Sequence, residues 1–205
     1  MGELPNYVFT VGNTSLDGIK KLKKISKHDL EKKYGLNLNK PLILILQHTV
    51  TSELETIKEN ILQTIDAVND LNIQTIIIYG NADAGSQKIA KVIKNLKIKQ
   101  YMTIPYQDYI GLLKHASALV GNSSSGIIEA PFLHIPSINV GTRQDGRLRA
   151  ESIIDVQYDK NEIKKAIKKA IMDTDFLMKV KSCKSLYGNG DSAKKIVKIL
   201  ENINL

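Results

Sequence analysis

Pro41-Leu42-Ile43-Leu44-Ile45-Leu46 is an apolar run with no alternation and no polar gap. So short a run with apolar residues pointing both ways fits a strand of a parallel sheet covered on both faces. The next segment has a different period. Leu54, Ile57, Ile61, Ile65 and Val68 recur at helical spacing. The alternation then repeats. A strand over 75–79 precedes a helix carrying Ile89, Val92, Ile93 and Leu96. A short strand over 99–104 leads into a helix opened by Pro105 and ending near 116. Strands follow over 118–120, 137–140 and 153–156, then helices near 160–172, 174–186 and 192–202. Ahead of the first long strand, residues 1–17 read as irregular with a short strand at 8–11. Residues 19–34 read as one basic helix stopped by Gly35, and Thr51 or Ser52 as the cap of the helix after the strand. Strands alternating with helices give an α/β chain with a Rossmann-like parallel sheet, right-handed crossovers and helices on both faces.

Ligands of such sheets bind outside the strand C-terminal ends. The polar loops 47–52, 80–86 and 121–126 all leave strand ends, and a fourth loop carries arginine. Of 29 Lys plus Arg, only Arg143, Arg147 and Arg149 are arginine, all within this loop. A guanidinium fork binds phosphate or carboxylate through two parallel hydrogen bonds, which lysine cannot do. Gly121-Asn122-Ser123-Ser124-Ser125-Gly126, just upstream, is a small-residue turn before a helix. It lets a ligand approach backbone N–H groups at a helix start that favours anions. Glu129 lies one turn in, where a carboxylate can accept from ribose hydroxyls. The plainer alternative, a Ser-capped helix with a solvated loop after it, stays open from the turn alone.

The 205 residues suffice for a sizeable core, and 42% hydrophobic with 5% aromatic content suits an aliphatic α/β interior. One cysteine, Cys183, excludes an internal disulfide and points to a cytoplasmic setting. The first residues lack a signal-peptide pattern, and the longest clean apolar run is far too short to cross a bilayer, so no membrane partner is expected. The net charge of +8 comes from lysines spread over many helices, without aromatic interleaving or a recognition-helix motif. Solvated helix faces account for it better than nucleic acid does. No metal cluster, GxGxxG or P-loop signature stands in the chain, so no cofactor is expected.

Gln47-His48-x-Val50-Thr51, Asn81-x-Asp83-Ala84-Gly85-Ser86, Gly121-Asn122-Ser123-Ser124-Ser125-Gly126-x-x-Glu129 and Gly141-Thr142-Arg143-Gln144-x-Gly146-Arg147 together resemble the UDP-N-acetylglucosamine 2-epimerase family. They are most similar to its hydrolysing branch, which makes N-acetylmannosamine and UDP for sialic-acid-type sugars. Tyr187-Gly188-Asn189-Gly190-Asp191 resembles the ending of that branch. The resemblance implies the C-terminal half of a GT-B-like two-domain fold. Residues 1–17 would be an interdomain segment and 18–205 a single UDP-binding domain, with the family's N-terminal domain and its acid–base carboxylates absent. The ligand implied is UDP or a UDP-N-acetylhexosamine. The partner implied is the missing domain, supplied in cis or by a separate chain. A face left bare by that domain predicts self-association.

By the same resemblance, His48 would face the diphosphate leaving group and count as catalytic. Ser123, Ser124 and Ser125 would line the diphosphate site, Glu129 would take the ribose hydroxyls and Arg143 the nucleotide. Asn81 and Asp83 would approach the substrate from the neighbouring loop. Arg147 joins the substrate-binding set, and Arg149 and Arg147 are also candidates for packing on the other domain. Each has an alternative: His48 as a hydrogen-bonded loop residue, Asn81 and Asp83 as turn formers, Glu129 as a dipole partner. His115 and His134 read as structural and Cys183 as an apolar filler. Competing functions are a GT-B glycosyltransferase C-terminal half and a nucleotide-sugar binding module without chemistry.

Overall fold

The computed structural model describes residues 2–79, 84–94 and 96–202. Helix α1 spans Thr14–Lys21 and α2 Lys27–Tyr34; β1 is Leu42–Leu46, α3 Ile57–Asn69, β2 Gln74–Ile78, α4 Ser86–Lys94 and β3 Lys99–Tyr101. Helix α5 (Tyr106–His115) leads to β4 (Ala118–Gly121), a 3-10 turn at Ser124–Gly126 and the short α6 (Glu129–Phe132). Strands β5 (Ser137–Val140) and β6 (Ile153–Val156) precede α7 (Lys160–Met172), α8 (Thr174–Ser182) and α9 (Ser192–Leu200). Among the described residues these strands form one parallel sheet in the order β3-β2-β1-β4-β5-β6. Both faces are covered, as the unbroken apolar reading of β1 requires. Ile43 and Ile45 pack with α3, α4 and α7, while Leu42 and Leu44 pack with α2 and α5.

Four local expectations are corrected. Residues 19–34 are not one helix, and 1–17 are not irregular throughout: α1 already begins at Thr14, Leu22 leaves helical geometry, and Ser26 restarts it by accepting from the Asp29 N–H at 3.0 Å while donating to the Asp29 carboxylate at 2.6 Å. Gly35 ends α2 as expected. Residues 8–11 form no strand. Val8 and Phe9 are 59% and 49% exposed, and the segment pairs with none of the six strands. Thr51 and Ser52 do not cap α3; they sit in a 3-10 turn (Thr51–Glu53), and Thr56 precedes the helix without a side-chain cap bond. Cys183 is buried, and His134 sets Nδ1 at 3.2 Å from the Val180 carbonyl.

The start and end of the described chain are tied together. The Asn13 N–H donates to the Tyr187 carbonyl at 2.7 Å. Asp17, in α1, accepts from the Ser192 and Ala193 N–H groups at 3.0 and 2.6 Å, capping α9 from a distant point in the sequence. Helix α9 buries little besides Ser192. Val197 and Leu200 are exposed, as are Leu4, Tyr7, Val8 and Phe9, and Phe9–Val11 adjoin Lys195–Ile199 across a shared pocket. No helix among the described residues is long and apolar enough to cross a membrane.

The Asp17 cap carries a pH signature. The Ala193 N–H, ahead of that of Ser192, holds the Asp17 carboxyl below its ordinary value. A depressed carboxyl stabilises the fold above the unfolded pKa and loses that contribution as pH falls toward the folded one. Amide exchange along α9 is therefore expected to accelerate selectively, against the intrinsic acid trend, below about pH 4. Asp17→Asn should show the faster α9 exchange already at neutral pH and lose the acid step. An α9 exchange profile unchanged by that substitution would refute the cap's role.

Candidate functional site

The strand order reverses between β1 and β4, so the crevice of this sheet opens where the loops after these two strands part. Leu46 is paired with Gly121 at that edge. Gly121 has φ +130°, and a Cβ placed there would lie 2.2 Å from the Leu46 carbonyl oxygen. Only glycine lets the two strand ends close to this distance.

Asn122 comes next and is fully buried. Its side chain clamps the backbone of His48 from both sides: the His48 N–H donates to Oδ1 at 2.6 Å, and Nδ2 donates to the His48 carbonyl at 2.9 Å. Its own carbonyl accepts from Gln144 Nε2 at 2.7 Å and from Arg143 Nη1 at 3.2 Å. One residue therefore fixes the β1 loop, the β4 turn and the arginine loop after β5. Arg143 is half-exposed, and a guanidinium has five N–H donors, one of which is committed here. Gln47, beside His48, turns inward, accepting from Thr64 Oγ1 at 2.7 Å.

The serines have distinct placements. Ser123 is buried and its Oγ accepts from the Ser125 N–H at 3.3 Å. Ser124 is half-buried and its carbonyl accepts from Ile127 and Ile128. The Ser125 hydroxyl is hydrogen-bonded to the Tyr109 hydroxyl. The helix expected after this turn is interrupted: a 3-10 turn comes first, and α6 has only four residues. Its macrodipole is correspondingly small, which leaves turn N–H groups and Arg143 as the main sources of positive potential. Glu129 opens α6 and accepts from Ser15 Oγ at 3.2 Å. Its charge, added to burial, raises the Tyr106 and Tyr109 phenols above their ordinary values.

The other arginines divide. Arg147 is exposed. Arg149 spends its fork on β6 and on its own loop: Nε donates to both Asp155 carboxylate oxygens at 3.0 and 3.1 Å, and Nη1 to the Gln144 and Arg147 carbonyls at 2.9 and 2.7 Å. It braces the loop that presents Arg143. Asn81 and Asp83 lie outside the described residues. Asn122, Gln144, Tyr158 and Glu53 drew no role from the sequence. Tyr158 follows β6, and its ring occupies the space beside Gly141, where a Cβ would come within 2.3 Å of it. Glu53 accepts from Thr142 Oγ1 at 2.7 Å. Among the described residues no group of three or more His, Cys, Asp or Glu is placed to hold a metal.

The family model for UDP-N-acetylglucosamine 2-epimerase matches residues 1–201. The chain belongs to that family. Among curated relatives of this UDP-N-acetylglucosamine 2-epimerase family member, the GDP/UDP-N,N'-diacetylbacillosamine 2-epimerase (hydrolyzing) of Campylobacter jejuni is 35% identical over 100% of this chain and 55% of its own length. The polysialic acid biosynthesis protein P7 of Escherichia coli is 33% identical over 98% of this chain and 53% of its own. The chain thus spans about half the length of the curated relatives it matches. The solved UDP-GlcNAc 2-epimerase of Neisseria meningitidis, bound to UDP-GlcNAc, superposes with a TM-score of 0.81 at 20% identity, covering 98% of this chain and 57% of that one. The Methanocaldococcus jannaschii enzyme, in complex with UDP-GlcNAc and UDP, gives 0.74 at 22%, with 98% and 56% covered. These superpositions establish the fold, one half of a GT-B-like pair.

Proposed function

We propose that this chain is the C-terminal, UDP-binding half of a 2-epimerase acting on a UDP-N-acetylhexosamine, of the hydrolysing kind. The observation that carries the reading is the Asn122 junction. At the one place where the strand order reverses, it joins the His48 loop, the serine turn and the Arg143 fork. Two solved relatives with this fold carry UDP-GlcNAc, which supports the ligand class.

In such a reaction a base removes the proton at the sugar C2, the C–H pair becomes the C1–C2 double bond, and the C1–O bond breaks with its electrons leaving on UDP. Water then adds at C1 while C2 is reprotonated from the opposite face. Charge grows on the departing diphosphate. Arg143, the N–H groups at the start of the turn (Ser123 and Ser124) and His48 are assigned to stabilise it, and Glu129 to hold the ribose. Proton transfer at C2 falls to the half of the fold that this chain does not contain. That half is the partner this reading requires, and the exposed apolar residues Leu4, Tyr7, Val8 and Phe9, the last of which adjoins α9, are the surface assigned to it.

Calorimetric titration with UDP and with UMP tests the reading. UDP should bind in the micromolar-to-millimolar range and UMP at least tenfold more weakly, since the second phosphate is what the fork and turn hold. Equal affinity for both, or none for UDP, would refute it.

A further inference from the structure

We propose that Glu53 is a positioning residue that latches the arginine loop over this site through Thr142 and Tyr158. The inference rests on the nucleotide reading for its ligand, though not for its geometry.

Glu53 belongs to the β1 loop, five residues beyond His48, and its two oxygens serve different elements. Oε1 accepts from Thr142 Oγ1 at 2.7 Å, and Oε2 accepts from Asn60 Nδ2 at 3.3 Å. Asn60 lies in α3, which is packed against the sheet, so one oxygen is anchored to the body of the domain while the other holds the residue next to Arg143. The second support lies beneath. The Tyr158 ring occupies the space a Cβ at Gly141 would take, and its phenol faces both Glu53 and Asn122. Burial first, then the Glu53 carboxylate, push that phenol up to about 12.

The Asn122 junction and this latch thus grip the arginine loop at two adjacent points, one at Thr142 and one at the two residues after it. Asn122 holds Arg143 and Gln144 by their side chains, and Glu53 holds Thr142. A carboxylate beside an anion site opposes the ligand's charge whatever else it does, so its place there has to be offset by structural work. Accepting from a neutral hydroxyl supplies that work while the Arg143 fork keeps its positive charge for the ligand.

The test uses Thr142→Val, which keeps the shape and removes the hydroxyl, Thr142→Ser as rescue, and Glu53→Ala. Two readouts apply to each: UDP affinity by calorimetry, and amide exchange over 141–147 measured without ligand. The expected result is about a tenfold loss of UDP affinity in Thr142→Val, recovered in Thr142→Ser. Exchange over 141–147 should be faster in Thr142→Val and Glu53→Ala, with α9 unchanged in both and α3 unchanged in Thr142→Val, since Glu53→Ala also removes the Asn60 bond. The Glu53→Ala/Thr142→Val double variant should be no weaker than the worse single one, because both remove the same bond. If the unsubstituted chain binds UDP and Thr142→Val binds it equally well, the latch is overturned. If the unsubstituted chain does not bind UDP, the nucleotide reading fails by itself. Exchange in Thr142→Val then decides alone: acceleration confined to 141–147 supports the latch, and unchanged exchange overturns it. Acceleration spread over α3 and α9 would mean general loosening and would also overturn it.

Discussion

Replacing Arg143 with lysine is expected to weaken UDP binding about thirtyfold, or about 2 kcal/mol, while leaving thermal stability within about a degree or two. The charge survives this substitution, so the loss measures the fork. A guanidinium presents parallel N–H groups that match two phosphate oxygens, whereas an ammonium offers a point charge on a flexible stem. Arg143 has a second task that lysine performs poorly. Its Nη1 donates to the Asn122 carbonyl, which sets the orientation of the plane before any ligand arrives. Arg149→Lys serves as the contrast. Its fork is spent on Asp155 and two loop carbonyls, so its replacement should lower loop order more than it lowers intrinsic anion affinity. Calorimetry on the two variants in parallel checks this; equal UDP affinity for Arg143→Lys and the unsubstituted chain would remove the fork from the mechanism.

The largest effect on stability is expected at Gly121. Gly121→Ala adds a single methyl group, yet that methyl meets the Leu46 carbonyl oxygen at 2.2 Å and stands on a residue with φ +130°. Positive φ costs an alanine about 1–3 kcal/mol, and relieving the clash requires β1 and β4 to move apart at a paired position. A total near 4 kcal/mol, a large fraction of the stability of a domain this size, should appear as a lower midpoint in urea unfolding with little change in slope. Gly146→Ala makes a useful control. It shares a positive φ of +78°, but open space surrounds its would-be Cβ, so it isolates the dihedral cost from the steric one. If the two variants unfold alike, the close approach of β1 and β4 is not what Gly121 provides.

Much of the fold was legible because the signals were local. The apolar run at β1 and the strands at 137–140 and 153–156 stand in the structure with the edges or near-edges their sequence suggests. The parallel sheet follows from the spacing of helices between strands. Where the reading failed, the deciding interaction lay outside the pattern used. The break between α1 and α2 was signalled by Ser26-x-x-Asp29, a capping arrangement that the basic charge run obscured. Residues 8–11 have strand-forming side chains but pair with no strand of the sheet, and propensity does not reveal that. The site was legible by composition: the arginine cluster and the small-residue turn are unusual in themselves. Asn122, Glu53 and Tyr158 were not, because their roles come from pairings that no spacing rule predicts. Asn122 meets His48 across 74 residues, and Glu53 meets Thr142 across 89.

The confinement of arginine to one loop has an experimental consequence. A dicarbonyl reagent selective for guanidinium groups has three targets in the entire chain, all between residues 143 and 149. Arg149 is held by two carboxylate oxygens and two carbonyls, and Arg147 stands exposed. The unsubstituted molecule therefore carries its own footprinting probe: adduct yields at Arg143 and Arg147, followed by mass spectrometry as a ligand is added, map occupancy of this loop without a mutation or an attached dye. The lysine-only remainder of the surface contributes no background to that measurement.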